Sequence, residues 1–179
     1  GVAGLSLFTC GLTITLSARL SRRTLSGGLM ITVGEAAPDF IAADDTGAEF
    51  ALSSLRGSRV ILYFYPKDNT RGCTQEACDF RDLTPALAEK DAVVVGVSTD
   101  GVKSHRNFKT WYSLPFTLVA DPDRDIVNRY GLWVEKKNYG RSYMGVARTM
   151  FVIDEEGVVE RVFENVKVKG HANAVLESL

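Results

Sequence analysis

The residues with the most evident chemistry lie in one short segment, Pro66-Lys-Asp-Asn-Thr-Arg-Gly-Cys73, which is followed five residues later by Cys78. The segment directly follows a strongly apolar stretch and opens a stretch with helical periodicity. Cys73 is therefore expected in the first turn of a helix, where free backbone N–H groups and the helix dipole favour a negative charge. Because thiolates form more readily at helix N-termini than in water, Cys73 is predicted to be a reactive thiol.

Three neighbours of Cys73 could support this chemistry. Thr70 brings a hydroxyl within reach of the sulfur or of an oxygen substrate beside it, and Arg71 adds a positive charge. Pro66 ends the preceding strand and could shield the site from bulk water. The alternative interpretation is a buried structural cysteine with Thr70 as a helix cap, since cysteine also behaves as a small hydrophobe. The expected exposure of a first helical turn favours the reactive thiol.

The spacing of Cys73 and Cys78 constrains any disulfide between them. In an ideal helix their Cα atoms would be about 8.6 Å apart. A disulfide needs a Cα separation of roughly 4.4–6.8 Å. The pair therefore cannot close unless the first turns of the helix unwind. This distinguishes the site from CxxC redox motifs, whose cysteines are already adjacent.

Alternating strand-like and helix-like stretches must position these residues. Arg59–Tyr65 and Ala92–Ser98 are apolar on both faces, as is typical of central strands covered by helices. The other predicted elements are hairpins of 39–43 with 49–52 and of 149–153 with 158–163, a strand at 116–120, and helices at 73–90, 102–112, 126–130 and 171–179. Such alternation indicates an α/β domain.

Several local features qualify this outline. Pro85 interrupts the first long helix and predicts a kink or an early end. Ser98 or Asp100 is predicted to cap the next helix. The charge cluster Glu135–Lys137 predicts a solvated loop, and His105, on a predicted surface helix, is expected to be structural rather than catalytic.

An acidic segment has the spacing of a calcium loop but lacks its other requirements. Asp121, Asp123 and Asp125 match the first three ligand positions. The loop also needs Gly at its sixth position and Glu at its twelfth, where this chain has Ile126 and Leu132. The segment is predicted to be an acidic turn that caps the short helix beginning at Ile126.

Composition excludes several classes of function. Lys plus Arg total 21 against 22 for Asp plus Glu, so no overall field attracts nucleic acid or an anionic membrane. Three cysteines and two histidines, without paired spacing, argue against a structural zinc site and against a disulfide-stapled secreted domain. We expect no metal, a small substrate, and a reducing compartment, the cytoplasm.

The first 29 residues differ from the rest, which predicts an extension at 1–29 and a domain at 30–179. Positions 1–34 contain no acidic residue, and this composition partly resembles an organellar transit peptide. The simpler interpretation is a non-native or poorly ordered segment, either translated from a start codon placed too early or left from expression. Met30 would then be the true start. Cys10 lies in this segment and is assigned no role.

The stretch Tyr63–Asp82 resembles the bacterioferritin comigratory protein (PrxQ) branch of the peroxiredoxins. Its Pro66-xxx-Thr70-xx-Cys73 pattern matches the peroxiredoxin active-site motif, and Cys78 matches the position where this branch often carries a resolving cysteine. Further matches occur at 37–40, 135–140 and 145–154, so the resemblance covers about 33–179. Arg71 is a departure, because this branch commonly has Pro there.

The resemblance implies a thioredoxin-like fold with a central mixed β-sheet flanked by helices. It also implies thiol-dependent reduction of hydrogen peroxide and of alkyl hydroperoxides. Cys73 would be the peroxidatic thiolate, and Thr70 and Arg148 would bind the peroxide oxygens. Pro66 would shape the pocket, and Glu76 would hold Arg148 or a second arginine in place.

The same resemblance implies how the enzyme would be recycled. Cys78 would resolve the sulfenic acid of Cys73 by forming an intramolecular disulfide, which thioredoxin or a similar dithiol protein would reduce. No metal or organic cofactor is implied, and a monomer is expected from the branch.

The residues alone do not choose peroxide over another electrophile, so three alternatives stay open. One is a one-cysteine peroxidase with Cys78 as a bystander. The second is a thiol-disulfide oxidoreductase acting on proteins, although the chain lacks a CxxC motif. The third is a redox sensor in which the two cysteines alter a partner surface.

Overall fold

The computed structural model describes residues 24–25 and 28–179, with side chains from Met30 onward. The predicted extension lies mostly outside the described residues, and so does Cys10. The strands are β1 (Thr24–Leu25), β2 (Gly28–Leu29), β3 (Ile41–Ala43), β4 (Glu49–Ala51), β5 (Arg59–Phe64), β6 (Ala92–Ser98), β7 (Thr117–Ala120), β8 (Trp133–Asn138), β9 (Arg141–Val146), β10 (Thr149–Ile153) and β11 (Val159–Phe163). The helices are α1 (Arg71–Ala88), α2 (Val102–Tyr112), α3 (Asp125–Arg129) and α4 (His171–Ser178), with a short 3-10 helix at Leu52–Leu55.

A five-stranded mixed sheet in the order β11-β10-β5-β6-β7 forms the centre of the domain. Strands β5, β6 and β7 are parallel, whereas β10 is antiparallel to both β5 and β11. Residues Val60–Phe64 of β5 are buried on both faces, because apolar layers cover each side of the sheet. The predicted α/β arrangement with a central mixed sheet is therefore confirmed.

The two faces of the sheet carry different elements. Side chains of α1, α2 and α4 pack with Tyr63 and Tyr65 on one face, and they include Phe80, Phe108 and Val175. The other face packs against α3, the 3-10 helix and the segment around Phe40. Because Cys73 belongs to the first of these apolar layers, α1 brings its sulfur onto the sheet.

The predicted hairpins β3–β4 and β10–β11 are confirmed, but the predicted loop at Glu135–Lys137 is wrong. These residues lie in β8, which pairs with β9 as a separate two-stranded ribbon. Tyr139 and Gly140 form its two-residue turn and both have positive φ, as tight hairpin turns require. The charged side chains of this strand made it resemble a loop in the sequence, because one face of the ribbon is exposed to solvent and carries them.

Two local expectations about the helices need correction. Of the two outcomes predicted for Pro85, a kink or an early end, the early end is wrong: α1 continues through Pro85 to Ala88, where buried Leu87 holds the last turn on the core. Helix α2 follows Gly101, with no side-chain cap. Asp100 instead accepts hydrogen bonds from the Ser98 hydroxyl (2.7 Å) and from the Asp68 backbone N–H (2.8 Å).

A third local prediction is confirmed at the start of α3. The Asp121 carboxylate accepts hydrogen bonds from the backbone N–H groups of Ile126 (3.2 Å) and Val127 (2.8 Å). The acidic segment therefore caps the short helix, as an acidic side chain at a helix N-terminus does.

A buried polar network holds the segment that leads into α1. The Asp68 carboxylate, only 6% exposed, accepts hydrogen bonds from the hydroxyls of Tyr65 (2.6 Å) and Ser104 (2.7 Å). It also lies 2.8 Å from Nδ1 of His105, which is fully buried on α2. Burial alone would raise the pKa of Asp68, but these hydrogen bonds and the interaction with His105 lower it below the ordinary 3.8.

Both ring nitrogens of His105 have polar partners. Its Nε2 atom is 3.1 Å from the carbonyl oxygen of Val119 on β7, and its Nδ1 atom faces the Asp68 carboxylate. The pair therefore ties the segment before α1 to α2 and to the sheet by hydrogen bonds at both ends of the imidazole.

We expect D68A to lower the free energy of unfolding by about 3 kcal/mol near pH 7, because it removes the carboxylate partner of the buried Tyr65 and His105 and of the half-buried Ser104. D68N should lose less, since an amide can accept from Tyr65 and donate to His105 Nδ1. Because the folded-state pKa of Asp68 is lowered, this stabilisation is present above pH 3.8 and is lost as pH falls through the lowered value. Urea unfolding from about pH 3 to about pH 7 measures it. An equal stability of D68A and wild type at pH 7 would contradict the role of the network.

Candidate active site

Cys73 lies in the first turn of α1, as predicted, although the helix begins two residues earlier, and its side chain is only 1% exposed. The first turn of α1 is not open to solvent at this position, because the helix packs directly on the sheet. The sulfur lies in the apolar layer that also contains Tyr63 and Ala77. A negative charge on it would therefore need compensation from nearby polar groups.

Arg148 provides that compensation. It lies in the short connection between β9 and β10, and its Nη2 donates a hydrogen bond to Cys73 Sγ at 3.2 Å. The antiparallel register pairs Thr149 with Phe64 at the end of β5. Arg148 is thereby level with the start of the segment that leads from β5 into α1. The sheet register thus brings together two residues 75 positions apart in the chain.

Glu76 lies one turn beyond Cys73 on α1 and is only 2% exposed. Its carboxylate forms an ion pair with Arg148 Nη1. Burial raises the pKa of Glu76 to about 7, although the guanidinium of Arg148 acts in the opposite direction. Burial opposes the charged form of Arg148 as well, but Glu76 and the Cys73 sulfur raise its pKa above the ordinary value. The guanidinium therefore stays charged beside the sulfur.

Thr70 and Pro66 lie in the segment that connects β5 to α1. Thr70 is exposed and immediately precedes α1, and its hydroxyl donates to the backbone oxygen of Lys67 at 3.2 Å. It occupies the N-cap position without making a side-chain cap. Pro66 is half-buried directly after Tyr65, and Arg71 is exposed.

Cys78 is half-buried on the same unbroken helix, and both it and Cys73 are free thiols. Because α1 is continuous from Arg71 to Ala88, the separation expected for an ideal helix applies to this pair. In this structure the two sulfurs therefore cannot be joined without a change in α1.

Sequence reasoning missed two basic residues close to this centre. Lys136 of β8 is half-buried: burial and Arg148 lower its pKa, whereas Cys73 acts to raise it. Burial and Arg148 also lower the pKa of His171, whose ring packs edge-on against Phe163. No signal in the sequence distinguishes Lys136 from its charged neighbours, because the alternation of exposed and half-buried positions along β8 is seen only in the structure.

The arrangement suits nucleophilic chemistry by sulfur. A buried thiol with an adjacent, permanently charged guanidinium can carry negative charge and can stabilise charge that develops on an oxygen beside it. Among the described side chains, no three His, Cys, Asp or Glu residues cluster as a metal site would require. No helix within residues 28–179 is both long and apolar enough to cross a membrane.

Comparisons with known proteins agree with this chemistry. Residues 33–162 match the AhpC/TSA family. Peroxiredoxin Bcp of Bacillus subtilis is 44% identical over 151 residues, which cover 84% of this chain and 96% of the relative. Peroxiredoxin Bcp of Escherichia coli is 38% identical over 149 residues, which cover 83% and 96% respectively.

Solved structures give the same assignment. Xanthomonas campestris Peroxiredoxin Q is similar with a TM-score of 0.74 and 38% identity, covering 78% of this chain and 88% of that one. A cysteine mutant of Xylella fastidiosa PrxQ is similar with a TM-score of 0.79 and 32% identity, covering 84% and 96%. The fold is therefore thioredoxin-like, as expected. Its fold, its sequence relatives and the chemistry of its buried thiol together show that the chain belongs to the AhpC/TSA family, as a thiol peroxidase of the Bcp/PrxQ peroxiredoxins.

Proposed function

We propose that the protein is a thioredoxin-dependent peroxidase of the atypical two-cysteine type, which reduces hydrogen peroxide and alkyl hydroperoxides. The observation that carries this proposal is the contact between Cys73 Sγ and Arg148 Nη2 at 3.2 Å, with Glu76 paired to the same guanidinium. For alkyl substrates, support comes from Xanthomonas campestris Bacterioferritin Comigratory Protein, whose structures address its alkyl peroxide reduction activity and which is 37% identical.

In the first step, the Cys73 thiolate attacks one peroxide oxygen. An S–O bond forms as the O–O bond breaks, and the released alkoxide or hydroxide takes a proton to leave as alcohol or water. Arg148 donates hydrogen bonds where negative charge moves from sulfur to the leaving oxygen. The Thr70 hydroxyl would turn from the Lys67 carbonyl to bind the peroxide, and Pro66 would limit access of water.

In the second step, Cys78 resolves the oxidised Cys73. The Cys78 sulfur attacks the sulfenic acid, the S–S bond forms and water leaves. Since the two Cα atoms are about 8.6 Å apart in a helix, the first turns of α1 must unwind before the sulfurs meet. Unwinding also exposes the buried Cys73, so that the disulfide becomes accessible to the thiolate of thioredoxin or a similar dithiol protein.

We also propose the compartment, the oligomeric state and the cofactor requirement of the enzyme. Two free thiols on one helix suit a reducing compartment, so we assign the protein to the cytoplasm. We propose that it works as a monomer without a metal or organic cofactor, because sulfur supplies the redox chemistry. With a net charge of -1, neither nucleic acid nor an anionic membrane is proposed as a partner.

The resolving role of Cys78 predicts the product of a single turnover. Reduced protein treated with one equivalent of hydrogen peroxide should lose two hydrogens, and peptide mapping should link Cys73 to Cys78. C78S should stop at oxidised Cys73, and C73S should not react. C10S is the matched control and should behave like wild type. A stable added oxygen on Cys73 of the wild type would instead indicate the one-cysteine mechanism.

The role of Arg148 predicts a large kinetic effect. R148A should lower kcat/KM for hydrogen peroxide about a hundredfold, because it removes the donor nearest the reacting sulfur. R148K should lose less, since it keeps a positive charge but not the fork of donors. Arg141 is exposed at the start of β9, so R141A is the control and should retain full activity. Stopped-flow kinetics would measure kcat/KM for each variant. Urea unfolding would verify that each variant is fully folded under the assay conditions. An unchanged rate in R148A would remove Arg148 from the site.

The buried carboxyl of Glu76 predicts a pH-dependent difference in stability. Its folded-state pKa is raised from 4.5 to about 7, so its favourable contribution is complete below pH 4.5 and is lost as pH rises through about 7. Wild type should therefore lose stability relative to E76Q across this range, by an amount on the order of 3 kcal/mol. E89Q, which changes an exposed residue, is the control for urea unfolding at each pH. A pH-independent difference between wild type and E76Q would show that Glu76 does not titrate in this range.

A further inference from the structure

Lys136 is a half-buried cation beside the proposed active site. The Lys136 side chain is half-buried, yet among residues 30–179 it makes no hydrogen bond and no ion pair. Arg148, by contrast, contacts both Cys73 and Glu76. A partly buried ammonium without a counter-ion is costly, so an anion that bound beside it would be stabilised.

The ribbon directs Lys136 toward the site. Val134 and Lys136 are half-buried, whereas Glu135 and Lys137 are exposed, as expected for alternate faces of a strand. The stem of Lys136 lies against Gly145, where an added Cβ would be 3.4 Å from Lys136 Cδ and 3.7 Å from Cε.

That contact gives the direction in which the lysine stem points. The register pairs Gly145 with Val134, so the stem of Lys136 runs toward the base of the ribbon. The base of the ribbon leads directly to Arg148. A residue larger than glycine at position 145 would crowd this path.

Lys136 and Arg148 line the same cavity, which has a volume of about 420 Å³. Its remaining lining residues are Val134, Glu135, Ala147, Asn165 and Val166. Three of these are apolar, and the volume lies in the range of small-molecule sites, well above what hydrogen peroxide needs. The charges of Lys136, Arg148 and Cys73 also interact, since burial and Arg148 lower the pKa of Lys136 and Cys73 acts to raise it.

We propose that Lys136 and Arg148 form an anion subsite beside Cys73, which binds the carboxylate of an organic hydroperoxide whose hydrocarbon chain lies against the apolar wall. The inference rests on the proposed peroxidase function and makes Lys136 a specificity-determining residue of that reaction. The reaction at the Cys73 sulfur is the same as for hydrogen peroxide, because the distant carboxylate neither gains nor loses electrons. Binding it orients the peroxide group and compensates the lysine charge.

The test compares a short aliphatic hydroperoxy acid with its methyl ester, since the two differ in charge and share a chain. For wild type, kcat/KM for the acid should exceed that for the ester about tenfold. K136Q should bring this ratio close to one, and K136R should retain most of it. K137Q removes the same charge from the exposed neighbouring position and should keep the wild-type ratio.

Three results would overturn the subsite. The first is a ratio of acid to ester near one in wild type. The second is a fall of this ratio in K137Q as large as that in K136Q. The third is a fall of kcat/KM in K136Q that is equal for the acid, the ester and hydrogen peroxide. The last would mean that Lys136 acts on the sulfur rather than on the substrate.

If wild type reduced none of the three peroxides, the proposed peroxidase function itself would be wrong. Calorimetric binding of the product hydroxy acid and its methyl ester then tests the subsite without turnover. Wild type should bind the acid more tightly than the ester, and K136Q should not. Equal binding of acid and ester by wild type would overturn the subsite.

Discussion

The contact between the Arg148 guanidinium and the Cys73 sulfur is the interaction on which the proposed chemistry depends. The sulfur is buried on an apolar layer, where an uncompensated negative charge would be costly. The antiparallel pairing of β10 with β5 brings the guanidinium to the level of the active-site segment. Glu76, one turn further along α1, then holds the other arm of Arg148. The central sheet therefore positions the charge, and α1 positions the thiol.

Two buried polar pairs hold the two sides of this centre. Asp68 and His105 tie the segment before α1 to α2 and to β7, whereas Glu76 and Arg148 tie α1 to the start of β10. Glu76 of the second pair lies within the part of α1 that would unwind for the proposed disulfide. Opening α1 would break it, while the first pair could keep the preceding segment in place. In the proposed mechanism, one side of the site would therefore stay fixed while the contacts on the other side change.

Burial also governs the electrostatics around the thiol. The carboxyl of Glu76 has a pKa raised to about 7, although its partner Arg148 is charged, because desolvation outweighs the attraction. Near neutral pH the compensation that Glu76 gives to Arg148 is consequently incomplete. The positive charges of Arg148 and Lys136 then exceed the negative charge that lines their shared cavity, which comes from Glu135. Such a site favours anionic groups on both nucleophile and substrate.

Local patterns in the sequence were sufficient to predict the strands β5 and β6, the hairpin β10–β11 and the position of Cys73 in the first turn of α1. Each of these depends on residues that are neighbours in the chain. They could not show that Cys73 is buried, or that His105 faces Asp68, since those facts depend on packing between elements. Arg148 entered only through resemblance, because 75 positions separate it from the cysteine that it contacts. Lys136 was concealed by its charged neighbours in β8. Only the tertiary structure decided these points, because sheet register and helix packing, rather than spacing along the chain, determine which side chains meet.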